Sequence, residues 1–415
     1  MKILFLGTLC KEDEEQTLIS NSTVGIHNSI ILFQRNLIHG LEFNLGAPVD
    51  TINILPVGTF PKYYKGLFIP LSTWHSPNGR MTLTLPTFNI HFAKQFFLVL
   101  SAIRYITRWI THNKDHELCI ILYDLLVPYL LALPYIRAKY PHVLLCAVVA
   151  DLPNEFGYDK PYSGIKRFLR TWMGKIQLRE IKKLDCFGIL TQHMKVPLNI
   201  PEGNYEVIEG LSNSDHPFHD LEDHARKVIL YTGALNSIYG LDVLLDAFMS
   251  INDNNYELWL CGIGDYVPHI LKASRADSRI KYLGFLSQKD IFHLQLKATL
   301  LINPRQNIGE YTKYSFPSKI IEYLSTGRVV VAYRLDGIPE EYYTYIISPR
   351  DNTSAALKQT IVEVCTMPLD YRRQLGIRGR TFVLDRTNPI NQCNKLINLL
   401  EQRHLSMSTQ VRTNK

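Results

Sequence analysis

From Lys227 onward, short apolar runs rich in β-branched residues alternate with segments of helical period, and this alternation constrains the fold more than any other feature. KVILYTG (227–233) precedes LDVLLDAFMSI, and YELWLCG (256–262) precedes VPHILKASRAD. IKYLGF (280–285) precedes a segment that Ser287 and Asp290 open as a capping pair. TLLINPR (299–305) leads to SFPSKIIEYLSTG, RVVVAYRL (328–335) to IPEEYYTYI, and YIISP to a helix around 355–365. Strands separated by helices pair in parallel, with helices covering both faces of the sheet. The runs show no in/out alternation, as strands buried on both sides require.

The first half repeats this logic less regularly. KILFLG, DTINILPV, ELCIILYD, HVLLCAVVAD, CFGILTQ and YEVIEG read as strands, with helical patterns over about 25–40 and 89–112. LSNSDHPFHDLEDHARK (211–227) is polar and aperiodic and reads as a linker. A chain of 415 residues exceeds one ordinary core. The expectation is therefore an α/β protein of two Rossmann-like parallel-sheet domains, 1–212 and 227–387, facing a cleft at their strand C-terminal ends. A last helix, PINQCNKLINLLEQ (389–402), follows the break at Thr387-Asn388-Pro389, and a polar tail begins at about Leu405.

Composition narrows the function classes. The seven cysteines are an odd number, form no C-x-x-C pair and sit mostly in apolar runs, which reads as reduced cytosolic core rather than a disulfide or zinc framework. The start MKILFLGTLC turns acidic at KEDEE instead of reaching a cleavage site. The longest apolar stretch, 118–136, carries Asp124, Pro128 and Pro134, so a strand followed by a helix explains it better than a membrane span. A net charge of +7 favours an anionic partner. Between residues 160 and 183 eight basic residues face one acid, Glu180, while Phe168, Trp172 and Ile176 recur at helical spacing. That pattern suits a peripheral position on an anionic membrane surface, and equally a solvated face over a core stripe. H-E-x-x-H, EF-hand, P-loop and G-x-S-x-G patterns are absent from the sequence, and GIGD (262–265) is an incomplete dinucleotide fingerprint.

The stretch that carries chemistry is INPRQNIGEYTKYSFPSKIIEYLSTGRVVVAYRLDGIPEEY (302–342). A buried strand ends at Arg305, and a loop leads to a helix beginning near 315–317. Pro317 suits a first-turn position and Gly327 the helix end. Ser315, Ser318, Lys319 and Glu322 then fall on one face, while Ile320, Ile321 and Leu324 turn toward the sheet. A polar face starting at free backbone N–H groups suits a diphosphate. Lys319 and Arg305 supply cations, and Glu322 an acceptor for ribose hydroxyls.

This segment resembles the donor-binding region of retaining GT-B glycosyltransferases, in particular the family 4 type of polysaccharide assembly. YTGALNSIYGLDVLLDAF resembles that family's glycine turn at Gly233, LWLCGIGDY its next turn at Gly262, and RIKYLGFLSQKDIFHLQLKATLLINPR its nucleotide-base region. FQRNLIHGL and VVADLPNEF resemble first-domain segments. The resemblance implies donor binding by Arg305, Tyr314, Ser315, Phe316, Pro317, Ser318, Lys319, Glu322, Gly233 and Gly262. It implies no bound metal and no cofactor beyond a UDP- or GDP-sugar donor, and a last helix (388–403) that packs back on the first domain through Ile390, Leu396, Ile397 and Leu400.

The chain departs from the family at defined points. Two glutamates usually stand eight residues apart; Glu322 matches the second, but Tyr314 takes the place of the first, with Glu310 nearby as a substitute. An Arg and a Lys after the glycine turn are replaced by Ala234 and Tyr239, leaving Arg305 and Lys319 to hold the diphosphate. Asp151 closes HVLLCAVVAD where relatives place a catalytic residue, and also suits a turn aspartate before Pro153. Glu155 and His27 are weaker candidates. The expected reaction moves a hexose or amino-hexose from a nucleoside-diphosphate sugar to a saccharide acceptor, with lipid linkage of that acceptor left open and nucleic acid not expected as a partner. A non-catalytic GT-B binder and a sugar-nucleotide epimerase are the alternatives.

Overall fold

A computed structural model describes residues 1–11, 14–22, 28–90, 93–153, 164–212 and 226–413. His27, Glu155, Lys160 and most of the 211–227 segment lie outside the described residues. The chain divides into two compact units, one of residues 1–211 and 389–415, the other of residues 212–388.

The first unit runs β1 (Lys2–Gly7), α1 (Glu15–Ser20), α2 (Asn28–Leu45), β2 (Asp50–Asn53), β3 (Phe68–Ile69), β4 (Ser72–His75), β5 (Met81–Thr84), β6 (Thr87–Phe88) and α3 (Ala93–His112). It continues through β7 (Leu118–Tyr123), α4 (Val127–Lys139), β8 (Leu144–Val149), α5 (Ile165–Ile181), β9 (Cys186–Ile189), α6 (Lys195–Leu198) and β10 (Tyr205–Val207). Eight strands form one sheet in the order β10-β9-β8-β7-β1-β2-β5-β4. β7 (LCIILY) and β8 (LLCAVV) are buried at every position, which is why the sequence shows them as unbroken apolar runs.

Two features depart from a purely parallel reading. β4 pairs antiparallel with β5 at the sheet edge, and β3 and β6 form a separate two-stranded ribbon. These strands are two to four residues long, set among Pro61, Pro70, Pro77 and Pro86, too short to display a period. On one sheet face α3 packs against α4 and α4 against α5. On the other, α2 packs against the chain's last helix, α13 (Pro389–Thr413), over a core that includes Phe5, Ile121, Cys146, Cys393, Leu396 and Leu400. The fit is close: a Cβ on Gly40 would lie 2.2 Å from the Pro389 carbonyl oxygen. α13 runs on through the stretch read from sequence as a polar tail, because no Pro or Gly follows Pro389 to stop it.

The second unit runs β11 (Lys227–Thr232), α7 (Leu241–Met249), β12 (Tyr256–Cys261), α8 (Val267–Ala276), β13 (Ile280–Gly284), α9 (Gln288–Lys297) and β14 (Leu300–Asn303). α10 (Ser318–Ser325), β15 (Val329–Ala332), β16 (Ile346–Ile347), α11 (Ser354–Thr366) and α12 (Leu369–Arg386) complete it. Its sheet is wholly parallel, in the order β13-β12-β11-β14-β15-β16. Ser287 caps α9, its Oγ accepting from the Asp290 N–H. Strand order reverses between β11 and β14, and the crevice beyond their C-terminal ends is where a ligand sits in sheets of this kind.

α10 begins later than the sequence suggested. Pro317 is its N-cap in an extended conformation rather than a first-turn residue, and Ser315 precedes the helix with extended backbone. Ser315 therefore does not share the helical face of Ser318, Lys319 and Glu322. A proline disfavours helical backbone in the residue before it, so Phe316 cannot start the helix comfortably.

Candidate active site

Two glycine turns build the floor of the crevice. β11 is followed by Gly233 (φ +139°) and β12 by Gly262 (φ +143°). A Cβ on Gly262 would lie 1.8 Å from the Gly233 carbonyl oxygen, and one on Gly264 2.1 Å from that of Leu235. Only glycine lets these backbones approach so closely. The Leu235 N–H donates to the Ile263 carbonyl at 2.8 Å, and Asp265 accepts from the Ser237 N–H at 2.8 Å, locking the two turns together.

α10 supplies one wall. Pro317 offers no side-chain cap, so the first N–H groups of the helix keep their capacity to bind an anion. The Lys319 side chain lies along the Gly233 turn, 3.0 Å from where a Cβ on that glycine would stand. Lys319 Nζ donates to Glu322 Oε2 at 2.7 Å, and Glu322 Oε1 accepts from Gln295 Nε2 at 2.6 Å. Gln295, fully buried on α9, also donates to Thr232 Oγ1 at 3.2 Å. The Tyr323 hydroxyl accepts from the Thr232 N–H at 2.8 Å and donates to its carbonyl at 3.0 Å. This network fixes the Lys319 and Glu322 side chains against the end of β11.

Arg305 forms the other wall, two residues beyond β14. It is 5% exposed, yet among the described residues no carboxylate pairs with it. Nη1 donates to Ser315 Oγ at 3.0 Å, whereas Nε and Nη2 are buried without a hydrogen-bond partner. The guanidinium lies 4.9 Å from the Tyr311 ring centroid and 5.9 Å from that of Tyr239. Gly240 (φ +72°) lets the turn bearing Tyr239 press onto this strand end, since a Cβ there would lie 2.1 Å from the Pro304 carbonyl oxygen. An arginine stays charged in any protein environment, and a buried charge lacking a counter-ion costs several kcal/mol, about 3–5 in measured cases. Such a side chain is built to meet an anion.

Residues 226–366 match the family model described as glycosyl transferases group 1. The second unit is a group 1 glycosyltransferase domain. No curated protein sequence matches the chain. Solved structures resemble it along nearly its whole length, and the fold is GT-B. Sucrose-phosphate synthase from Thermosynechococcus elongatus is 14% identical, with 98% of this chain and 100% of that one covered and a TM-score of 0.68. A trehalose-6-phosphate protein from E. coli bound with UDP-2-fluoro glucose is 10% identical, with 97% and 99% covered and a TM-score of 0.62. The lipopolysaccharide outer core galactosyltransferase WaaB, in its apo form, is 14% identical, with 97% and 100% covered and a TM-score of 0.61.

Within the glycosyltransferase domain, Arg305 meets Ser315, and Lys319 meets Gly233 and Glu322, while Gly262 closes the floor. Other expected residues stand elsewhere. Glu310 opens a single turn of helix (Glu310–Tyr314), is largely exposed, and pairs with Lys313 at 3.0 Å. Tyr314 ends that turn. Phe316 is buried edge-on against Tyr342, with centroids 5.2 Å apart, so its ring serves packing. Gln295, Tyr239 and Tyr311 are the residues that sequence reasoning missed or misjudged. Tyr239 was read only as a lost lysine, and no sequence signal shows that it flanks a cation.

The first unit holds its own polar cavity, of about 240 Å3, at the ends of β7 and β8. Asp151 lines it together with Asp124, Gln177 and Pro153. The Asp124 backbone is left-handed (φ +57°), held by its N–H donating to the Val148 carbonyl at 2.7 Å. Burial, and then the neighbouring Asp151 charge, push the Asp124 carboxyl up to about 7. Gln177 donates to the Leu125 carbonyl at 2.8 Å, leaving its buried Oε1 unpaired. Asp124 was visible in sequence as an aspartate closing an apolar strand, the same signal that singled out Asp151. Among the described residues no group of three His, Cys, Asp or Glu side chains is placed to hold a metal ion.

Proposed function

We propose that this chain transfers a hexose or amino-hexose from a UDP- or GDP-sugar to a saccharide acceptor, with retention, in surface polysaccharide or glycan assembly on the cytoplasmic side of a membrane. The observation that carries the reading is the buried Arg305 guanidinium with two unpaired nitrogens, Nε and Nη2, beside the uncapped start of α10. A diphosphate supplies the missing acceptors. The bond between the anomeric carbon and the phosphate oxygen breaks, and the acceptor hydroxyl forms the new glycosidic bond. Its proton passes to the departing diphosphate. Arg305, Lys319 and the α10 N–H groups stabilise the charge that develops on that leaving group. Glu322, oriented by Gln295 and Lys319, accepts from the ribose hydroxyls. Asp151 and Asp124 serve the acceptor side. The UDP-sugar analogue bound by the E. coli relative supports the choice of donor class, and the family 4 resemblance supports retention.

Ligand-dependent melting tests the reading. A ligand that binds only the native state raises the melting temperature, so UDP or GDP should stabilise the chain and Arg305→Gln should abolish most of that shift. Equal shifts in both proteins would refute the anion role. Tyr314, Ala234 and Tyr239 are the features that favour a non-catalytic binder. Slow hydrolysis of a bound donor in the absence of acceptor separates a transferase from that binder, and an unchanged released sugar separates it from an epimerase.

A further inference from the structure

The outer helical layer of the first unit carries a pattern that the donor site does not use. Residues 51–114 contain seven Lys or Arg (Lys62, Lys65, Arg80, Lys94, Arg104, Arg108 and Lys114) and no Asp or Glu. Between Asp124 and Asp151 the only charged side chains are Arg137 and Lys139. Ordinary soluble surfaces intersperse both signs.

The exposed faces of α3, α4 and α5 repeat one arrangement. On α3, Phe96, Leu100, Arg104 and Arg108 succeed one another at i, i+4 and are all exposed. On α4, Leu131, Tyr135 and Lys139 do the same. On α5 the exposed series is Phe168, Trp172, Lys175 and Arg179, the last also touching buried Glu180. Phe96, Phe168 and Trp172 are 62%, 69% and 55% exposed. Each helix leads into a strand of the same parallel set, so all three run in one direction and pack in sequence. Each helix therefore carries its exposed apolar residues N-terminal to its exposed cations on one outer face.

The β3–β6 ribbon extends the apolar surface. Phe68 and Phe88, both exposed, meet at a tilt with centroids 5.1 Å apart; Phe88 meets Phe97 at 5.1 Å, and Phe97 meets Phe96 at 5.8 Å. An aromatic ladder running from the ribbon onto α3, beside the exposed rings of α5, exceeds the scattered apolar residues of a normal surface.

We propose that the outer face of the α3–α4–α5 layer docks on an anionic lipid bilayer. Phe96, Leu100, Leu131, Phe168 and Trp172 enter the acyl boundary, while Arg104, Arg108, Lys139 and Lys175 rest among the headgroup phosphates. Nucleic acid would reward the cations alone and leave the aromatic ladder in water. A bilayer rewards both kinds of side chain, and anionic headgroups favour each nearby Lys or Arg. Among the described residues no helix is long and apolar enough to cross a membrane, so this is attachment from one side.

Flotation of the full chain with phosphatidylcholine vesicles, with and without phosphatidylglycerol, tests the surface. The chain should float with the anionic vesicles and at least about tenfold less with the neutral ones. F96S/L100S/F168S and R104E/R108E should each weaken flotation by about tenfold or more, with melting temperature and the UDP-induced shift retained. Absence of flotation in the parent chain overturns the proposal. So does loss confined to the charge variant, which would point to a soluble polyanion. A chain that binds nucleotide but not vesicles overturns this surface alone and leaves the donor reading intact.

Discussion

Arg305 is held where folding alone gains little from a cation. Its two unpaired nitrogens are a cost in the ligand-free chain, and the compensation comes only when an anion arrives. Arg305→Met should therefore raise the melting temperature of the ligand-free protein by several degrees, equivalent to about 1–3 kcal/mol, while cutting nucleotide affinity about 100-fold. Calorimetry with and without UDP measures both, and a destabilised ligand-free variant would show that the guanidinium serves the fold. Lys319→Ala should leave the fold intact and lower turnover by roughly 100-fold or more. Near-normal rates would remove Lys319 from the leaving-group machinery. Asp124 offers a test by pH. Its carboxyl is raised from an ordinary 3.8 to about 7, so the folded state holds the proton more tightly than the unfolded one. The folded state is thus favoured below about pH 4 and loses that advantage as pH rises toward 7. Asp124→Asn should be more stable than the parent at pH 8, by up to about 4 kcal/mol, and the gap should close by about pH 4.

At the scale of elements, the floor of the crevice depends on two turns with no space for side chains. Gly262→Ala would set a methyl against the Gly233 carbonyl and would also force a φ that L-residues rarely adopt. A loss of at least about 3 kcal/mol in urea unfolding is expected, together with loss of the nucleotide-induced shift. The strands that build this floor were legible because each is buried on both faces and appears as an unbroken apolar run, as in KVILYT and YELWLC. Lys319 and Glu322 were legible as neighbours because helical spacing alone brings them together. Ser315 was not, since its place depends on where Pro317 lets the helix begin. Tyr239, Tyr311 and Gln295 were beyond reach because their roles arise from contacts between separate elements. The β3–β6 ribbon was missed for a different reason: strands of two residues have no period to read.

For the whole molecule, α13 belongs to the first unit although it follows the second in sequence. Cys393, Leu396 and Leu400 fill the core beside α2, the Cys393 thiol reaches the Leu37 carbonyl at 3.3 Å, and Asn44 donates to the Ile390 carbonyl at 2.9 Å. Each buried leucine removed from a core costs about 2–5 kcal/mol, so truncation before Pro389 should exceed what the first unit can lose. Limited proteolysis of the truncated chain should then cut within residues 1–211 while the 226–388 region stays resistant, and an unchanged pattern would show the helix dispensable. The same arrangement bears on how the protein is made. A ribosome delivers the eight-stranded sheet of residues 1–207 early, but the helix that seals one side of it emerges only after the entire glycosyltransferase domain has been synthesised. Through that interval the bare flank of α2 and its neighbouring strands stands open to water, so the nascent chain presents a natural foothold for chaperones until α13 emerges and docks.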